Sequence, residues 1–199
     1  MIVGDASLFA IESQITTAYE RLSLRGVGFF VIHVLAQRYG VRTPEATALA
    51  CSFDTVQKRL VHRGRHRAPF SQEAAAGQIA DSFRQAVFAE QPEPQALLGF
   101  SQSQLSELIR VNDLLWAPDG DEAFDDGSYV LHFDVQDKVR LIAFRSTSGL
   151  QHEPETLRDL WLPAAVFYQT LEKWCDSFIA EWRAMPKSNE SSPPSRRMT

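Results

Sequence analysis

The segment GVGFFVIHVL, residues 26–35, decides the fold. On an extended chain Val27, Phe29 and Val31 share one face and Phe30, Ile32 and Val34 share the other, so both faces are apolar. A strand covered on both sides reads this way, which places it at the centre of a sheet. His33 then lies in or near the core, where a hydrogen-bonded structural imidazole is the expected role.

Working outward, SLFAIESQIT (7–16) alternates through Phe9 and Ile11 and reads as a neighbouring strand. SFDTVQKRLVHRG (52–64) reads as a short helix capped by Ser52 or Asp54, with Val56, Leu60 and Val61 on its buried edge and Gly64 as its stop. SQEAAAGQIADSFRQAVFAE (71–90) reads as a longer helix capped by Ser71, with Ile79, Phe83 and Val87 on one face. Another capped helix is expected from Ser101, carrying Leu105, Leu108 and Ile109.

Residues 129–135 place Tyr129, Leu131, Phe133 and Val135 opposite His132 and Asp134; the pair Gln136–Asp137 turns the chain, and KVRLIAFRS returns it as an antiparallel hairpin. After Pro163, which suits a first helical turn, Phe167, Leu171, Trp174, Phe178 and Trp182 form one stripe down to about residue 184. Such a stripe is core packing. Beyond Met185 the chain is rich in Ser and Pro without apolar period. The expectation is one α+β domain over 1–185, a mainly antiparallel sheet packed with about four helices, followed by a disordered tail over 186–199.

The composition supports that reading. Hydrophobic residues make up 44% of the 199, with 13 Phe and 4 Trp, enough for a sizeable core. A net charge of −5 and a pI near 5.5 argue against general nucleic-acid binding, which needs a basic footprint. The N-terminus has no basic leader pattern, and the longest apolar run is about half a membrane span. A soluble, cytoplasmic protein is expected. Cys51 and Cys175 are far apart among apolar neighbours and read as two buried thiols.

One segment resists a purely structural account. WAPDGDEAFDDGSY (116–129) holds Asp119, Asp121, Glu122, Asp125 and Asp126, bracketed by Trp116, Phe124 and Tyr129. From Asp113 to Asp137 there are eight acids and no Lys or Arg, so like charges repel unless a group elsewhere offsets them. Asp119 and Asp121 fit the first and third positions of a calcium loop, but Ala123 and Phe124 fall where a ligand and a glycine belong. A solvated acidic surface is the blandest reading. A docking surface is the sharper one: aspartates steer and pair a basic partner, while aromatics supply anchors.

The opposite patch, KRLVHRGRHR (58–67), lacks the interleaved aromatics that stack bases. It reads as a solvated helix end, or as an internal partner of the acids. No phosphate loop, nucleophile elbow or zinc motif is present, so no catalytic or metal-binding residue is assigned and no cofactor is expected. The alternative is a small cytoplasmic enzyme or metal-binding protein using the carboxylates of 119–126.

The opening MIVGDASLFAIES, the strand GFFVIHVLAQRYGV and the stretch WAPDGDEAFDDGSYVLHFDV together resemble immunity proteins of bacterial polymorphic toxin systems, in particular immunity protein family forty-two. The likeness runs from residue 1 to about 184 and rests on overall pattern and on Gly4, Asp5, Phe9, Ala10, Ile11 and Glu12. It implies a non-enzymatic α+β protein that binds and neutralises a cognate toxin in the producing cell, delivered by type VI secretion or an Rhs-type carrier. A nuclease-like toxin with a basic cleft is favoured, and neither nucleic acid nor membrane is an expected partner. The resemblance assigns no binding residues. The toxin-binding set Trp116, Asp119, Asp121, Glu122, Phe124, Asp125 and Asp126 comes from the acidic segment itself.

Overall fold

A computed structural model describes residues 1–20, 25–90, 96–116 and 122–188. The first sheet has the order β1-β2-β3-β4, formed by Ile2–Asp5, Phe9–Tyr19, Gly26–Val34 and Gln37–Tyr39. A two-residue strand, β5 (Thr47–Ala48), also pairs with β3. Three helices follow: α1 (Leu49–Val61), α2 (Ala76–Phe88) and α3 (Gln102–Val111). A second antiparallel sheet comprises β6 (Ser128–Val135), β7 (Lys138–Arg145) and β8 (Arg158–Pro163). Helix α4 (Ala164–Ala184) precedes β9 (Lys187–Ser188), which joins β2 in parallel. The fold is a single α+β unit.

β3 lies inside its sheet, as its two apolar faces predict, with β2 on one side and β4 and β5 on the other. Its closeness to β2 depends on Gly28, where an added Cβ would stand 1.9 Å from the Gln14 carbonyl oxygen. His33 finds its partner across the strands: Nε2 lies 3.0 Å from Glu12 Oε2, and Arg42 Nε donates to the other carboxylate oxygen at 2.8 Å. Residues flanking His33 in sequence hold no acid, but Ala10 is its paired neighbour and Glu12 lies two positions further along that face. The N-terminal signature therefore serves the fold. Phe9, Ala10 and Ile11 are buried, and an added Cβ at Gly4 would meet the Phe9 carbonyl oxygen at 2.4 Å.

Both faces of the second sheet are covered. Val130, Val139, Leu141 and Leu160 join a core with β2, β3, α1 and α4. Leu131, Phe133, Ile142 and Phe144 pack against α2 and α3 in a second core. The alternation of the hairpin thus separates two apolar compartments. The α4 stripe enters the first, with Phe167, Leu171, Trp174 and Phe178 fully buried and Trp182 packed at its edge.

Several boundaries differ from expectation. α1 starts three residues earlier than expected, at Leu49, without a side-chain cap, and turns Val61 outward (79% exposed) and Cys51 into solvent. Its inward positions are Leu49, Phe53 and Val56, so Cys51 is not the second buried thiol; Cys175 is buried, and burial pushes its pKa up to about 12. Ser71 does not cap α2, because its hydroxyl donates to the Ala68 carbonyl in a local turn and the helix begins after Ala75. Ser101 does cap α3, in a reciprocal capping box with Gln104. β1, β4, β5, β8 and β9 lie outside the expected strands, although in β8 Leu160 and Leu162 alternate inward against exposed Asp159 and Trp161.

The described chain continues past residue 185. Lys187 and Ser188 pair with Ala18 and Tyr19, and Lys187 Nζ donates to the Trp182 and Met185 carbonyls. Residues 189–199 lie outside the described residues. A truncation after Ser188 is expected to leave the melting temperature unchanged, because every contact of β9 is retained. A lowered melting temperature would reveal a packing role for the last eleven residues.

Candidate functional site

The chain that leads into the acidic segment, up to Trp116, runs along the edge of β6 that β7 leaves open. The amide of Asp134 donates to the His66 carbonyl at 2.6 Å, that of His132 to Leu114 at 2.8 Å, and Trp116 donates to Val130 at 2.8 Å. Leu114 and Trp116 are therefore stitched to β6. Three side chains from the basic segment hold Asn112, Asp113 and Leu115. Lys58 pairs with Asp113 at 3.2 Å, and Arg59 donates to the carbonyls of Asp113 at 3.2 Å and Leu115 at 2.6 Å. His66 Nδ1 reaches the Asn112 and Asp113 carbonyls at 3.1 and 3.0 Å, so that nitrogen carries the proton. Of the two readings of 58–67, internal pairing describes Lys58, Arg59 and His66; Arg63, Arg65 and Arg67 remain exposed.

Behind this brace lies a buried polar cluster. Arg59 is 1% exposed and donates to His132 Nδ1 at 3.1 Å, which leaves the proton of neutral His132 on Nε2. The His66 and His132 rings are 4.3 Å apart, and His132 Nε2 sits 3.5 Å from Asp134 Oδ1, too long for a good hydrogen bond. Tyr168 donates to Asp134 Oδ1 at 2.7 Å and the His66 amide to Oδ2 at 3.1 Å. Burial, reinforced by the Arg59 charge, lowers both imidazoles, His132 to about 3. Burial alone would raise the Asp134 carboxyl, but the nearby His132 N–H together with the hydrogen bonds from Tyr168 and the His66 amide holds it below its ordinary value. Arg59 is lowered to about 10 by burial and stays charged near neutral pH.

The described part of the acidic segment resumes as a 3₁₀ turn, Glu122–Phe124. It sits against β3, beside the chain leading out of β4. The Val41 amide donates to the Ala123 carbonyl at 2.7 Å, and Phe124 packs edge-on against Phe30 with ring centroids 6.1 Å apart. Gly40, at φ +111°, permits this approach, since an added Cβ would lie 2.9 Å from the Ala123 carbonyl oxygen. Asp126 Oδ1 accepts from the Ser128 amide at 3.2 Å, and Oδ2 pairs with Arg145 at 3.2 Å.

This geometry corrects the expected site in two respects. Trp116 and Phe124 are not exposed anchors: they are 1% and 7% exposed, and Trp116 packs against Phe9 and Phe167 beneath the Arg59 guanidinium. Nor are the acids uniformly uncompensated, because Asp113, Asp126 and Asp134 have partners from distant parts of the chain. Glu122 and Asp125 are exposed and carry no ion pair among the described residues. Asp119 and Asp121 lie outside the described residues. Among the described residues no group of three or more His, Cys, Asp or Glu is arranged to hold a metal ion, and no helix is long and apolar enough to cross a membrane.

Comparison with known proteins adds a fold relative and a family. No curated protein sequence matches the chain. A solved structure described as CdiI from Burkholderia dolosa AUO158 superposes with a TM-score of 0.56 at 12% identity, covering 89% of this chain and 99% of that one. At that identity the likeness is one of fold. The family described as Immunity protein 42 matches residues 1–177, which includes both sheets apart from β9, the polar cluster, the described acidic turn and most of α4. The chain belongs to the Immunity protein 42 family.

Proposed function

We propose that this protein binds and neutralises a cognate antibacterial toxin in the cytoplasm of the cell that makes it, without catalysis, and that the acidic turn is its docking surface. The observation that carries the reading is the exposure of Glu122 and Asp125 on a turn whose backbone is fixed from beneath by Phe124, Ala123 and Asp126. Two exposed carboxylates that carry no ion pair among the described residues, on a preformed support, lose little conformational freedom on binding. They attract a cationic surface and gain from pairing with it. A nuclease-like toxin fits best, because a cleft built for phosphates accepts carboxylates in their place.

The family membership and the absence of a recognisable catalytic motif support a binding role. Co-expression provides the test. The carboxy-terminal domain encoded by the neighbouring upstream gene should arrest growth when produced alone and permit growth when this protein is present. Continued arrest in the presence of folded protein would remove the reading for that pair.

A further inference from the structure

Asp126 belongs to the acidic segment by sequence, yet its carboxylate is engaged inside the molecule. Arg145, at the end of β7, pairs with Asp126 Oδ2 at 3.2 Å, donates to the Arg38 carbonyl at 2.9 Å and approaches Ser128 Oγ at 3.4 Å. Ser128 Oγ in turn accepts from the Gly40 amide at 3.1 Å, and the next residue, Val41, donates to Ala123. One guanidinium therefore ties β7, the chain after β4 and the exit of the acidic turn into a closed set of bonds. The pair is about a quarter exposed on each side, 25% for Arg145 and 26% for Asp126, so it is accessible to screening yet directed by geometry.

We propose that Arg145 is a positioning residue for the docking surface and that Asp126 is its anchor, not a docking carboxylate. The proposal rests on the reading of Glu122 and Asp125 as contact residues. It assigns a different signature to each acid. Asp125 acts on the partner through charge; Asp126 acts through Arg145 on where Glu122 and Asp125 stand. The direction of the charge change separates the two roles. Removing Arg145 makes the surface more negative, so charge alone would speed association with a cationic partner and slow its release. A positioning role has the opposite effect on release, because the contact carboxylates lose their fixed geometry.

The experiment measures association and dissociation rates of Arg145→Gln, Asp126→Asn, the double variant and Asp125→Asn, each confirmed folded by circular dichroism. The probe is the purified domain encoded upstream. Arg145→Gln and Asp126→Asn should each dissociate roughly tenfold faster, and the double variant no faster than either, since both remove one interaction. Asp125→Asn should instead associate more slowly. Parental dissociation in Arg145→Gln, or independent effects that multiply in the double variant, would overturn the proposal. A second readout needs no partner. Amide exchange at Val41 and Ser128 should quicken in folded Arg145→Gln while the β2–β3 amides keep their parental rates, and uniform or parental exchange would count against a positioning role. If the upstream domain fails to bind even the parent, the docking reading falls and the exchange measurement still decides what Arg145 does.

Discussion

Trp174→Ala is expected to lose about 3–5 kcal/mol of stability, the range for truncating a large aromatic in a close-packed core. Trp174 is fully buried, with Phe30 edge-on at 5.2 Å, Phe178 stacked at 5.2 Å and Phe53 at 6.0 Å. Its indole Nε1 also donates to Ser13 Oγ at 3.0 Å, so α4 is joined to the central strands by a ring cluster and a buried hydrogen bond. Truncation leaves a cavity and strips the Ser13 hydroxyl of its partner, and the two losses act together. Trp174→Phe keeps most of the packing and should lose less. Urea denaturation reads both values. A loss below about 1 kcal/mol for the alanine variant would place the stripe outside the core.

Acid should destabilise the protein well above the pH at which carboxylates titrate. His66 and His132 are held neutral by burial beside Arg59, so their folded pKa values lie below the ordinary 6.5. For a histidine depressed in this way the unfolded chain binds the proton first, and stability present above pH 6.5 is lost as pH falls toward the folded value. His132, lowered to about 3, stays neutral throughout the range from pH 7 to 5. His132 alone contributes a loss of about 2 kcal/mol over those two pH units, and the lowered His66 adds to it in the same direction. Asp134 adds to it only below its unfolded pKa, because its own folded pKa is lowered. His132→Asn retains an oxygen that can accept from Arg59 and should flatten the slope. Stability that is level between pH 7 and pH 5 would mean that the cluster is not dry.

Long elements with one clear period were legible from sequence. The alternation of 26–34, the hairpin 128–145 and the stripe of 164–184 each repeat often enough to identify an element and its buried face. β1 and β8 are short, and α2 starts late because Ser71 satisfies a local turn instead of a helix end. The acidic segment was legible as a charged surface, but not in depth. Trp116 and Phe124 sit in a stretch dominated by acids, and their burial depends on Phe9, Phe30, Phe167 and Arg59, none of which is local. The same holds for charge. Lys58 and Arg145 neutralise Asp113 and Asp126 across the fold, so counting bases along the sequence overstates the repulsion. Among the described residues, Glu122 and Asp125 are the acids of the turn that carry no ion pair.

Glu122 and Asp125 are proposed to dock a cationic toxin surface. The most direct test of this docking is the association rate with the upstream-encoded domain across a series of salt concentrations, for the parent and for Glu122→Gln/Asp125→Asn. Steering by unpaired charge makes the parental rate fall steeply as salt rises, over the range where the screening length shrinks from about 30 Å to about 8 Å. The neutralised variant should associate roughly tenfold more slowly at low salt, with a flatter dependence, and should unfold at the parental temperature or slightly above it. Equal rates and equal salt dependence in the two proteins would contradict the account.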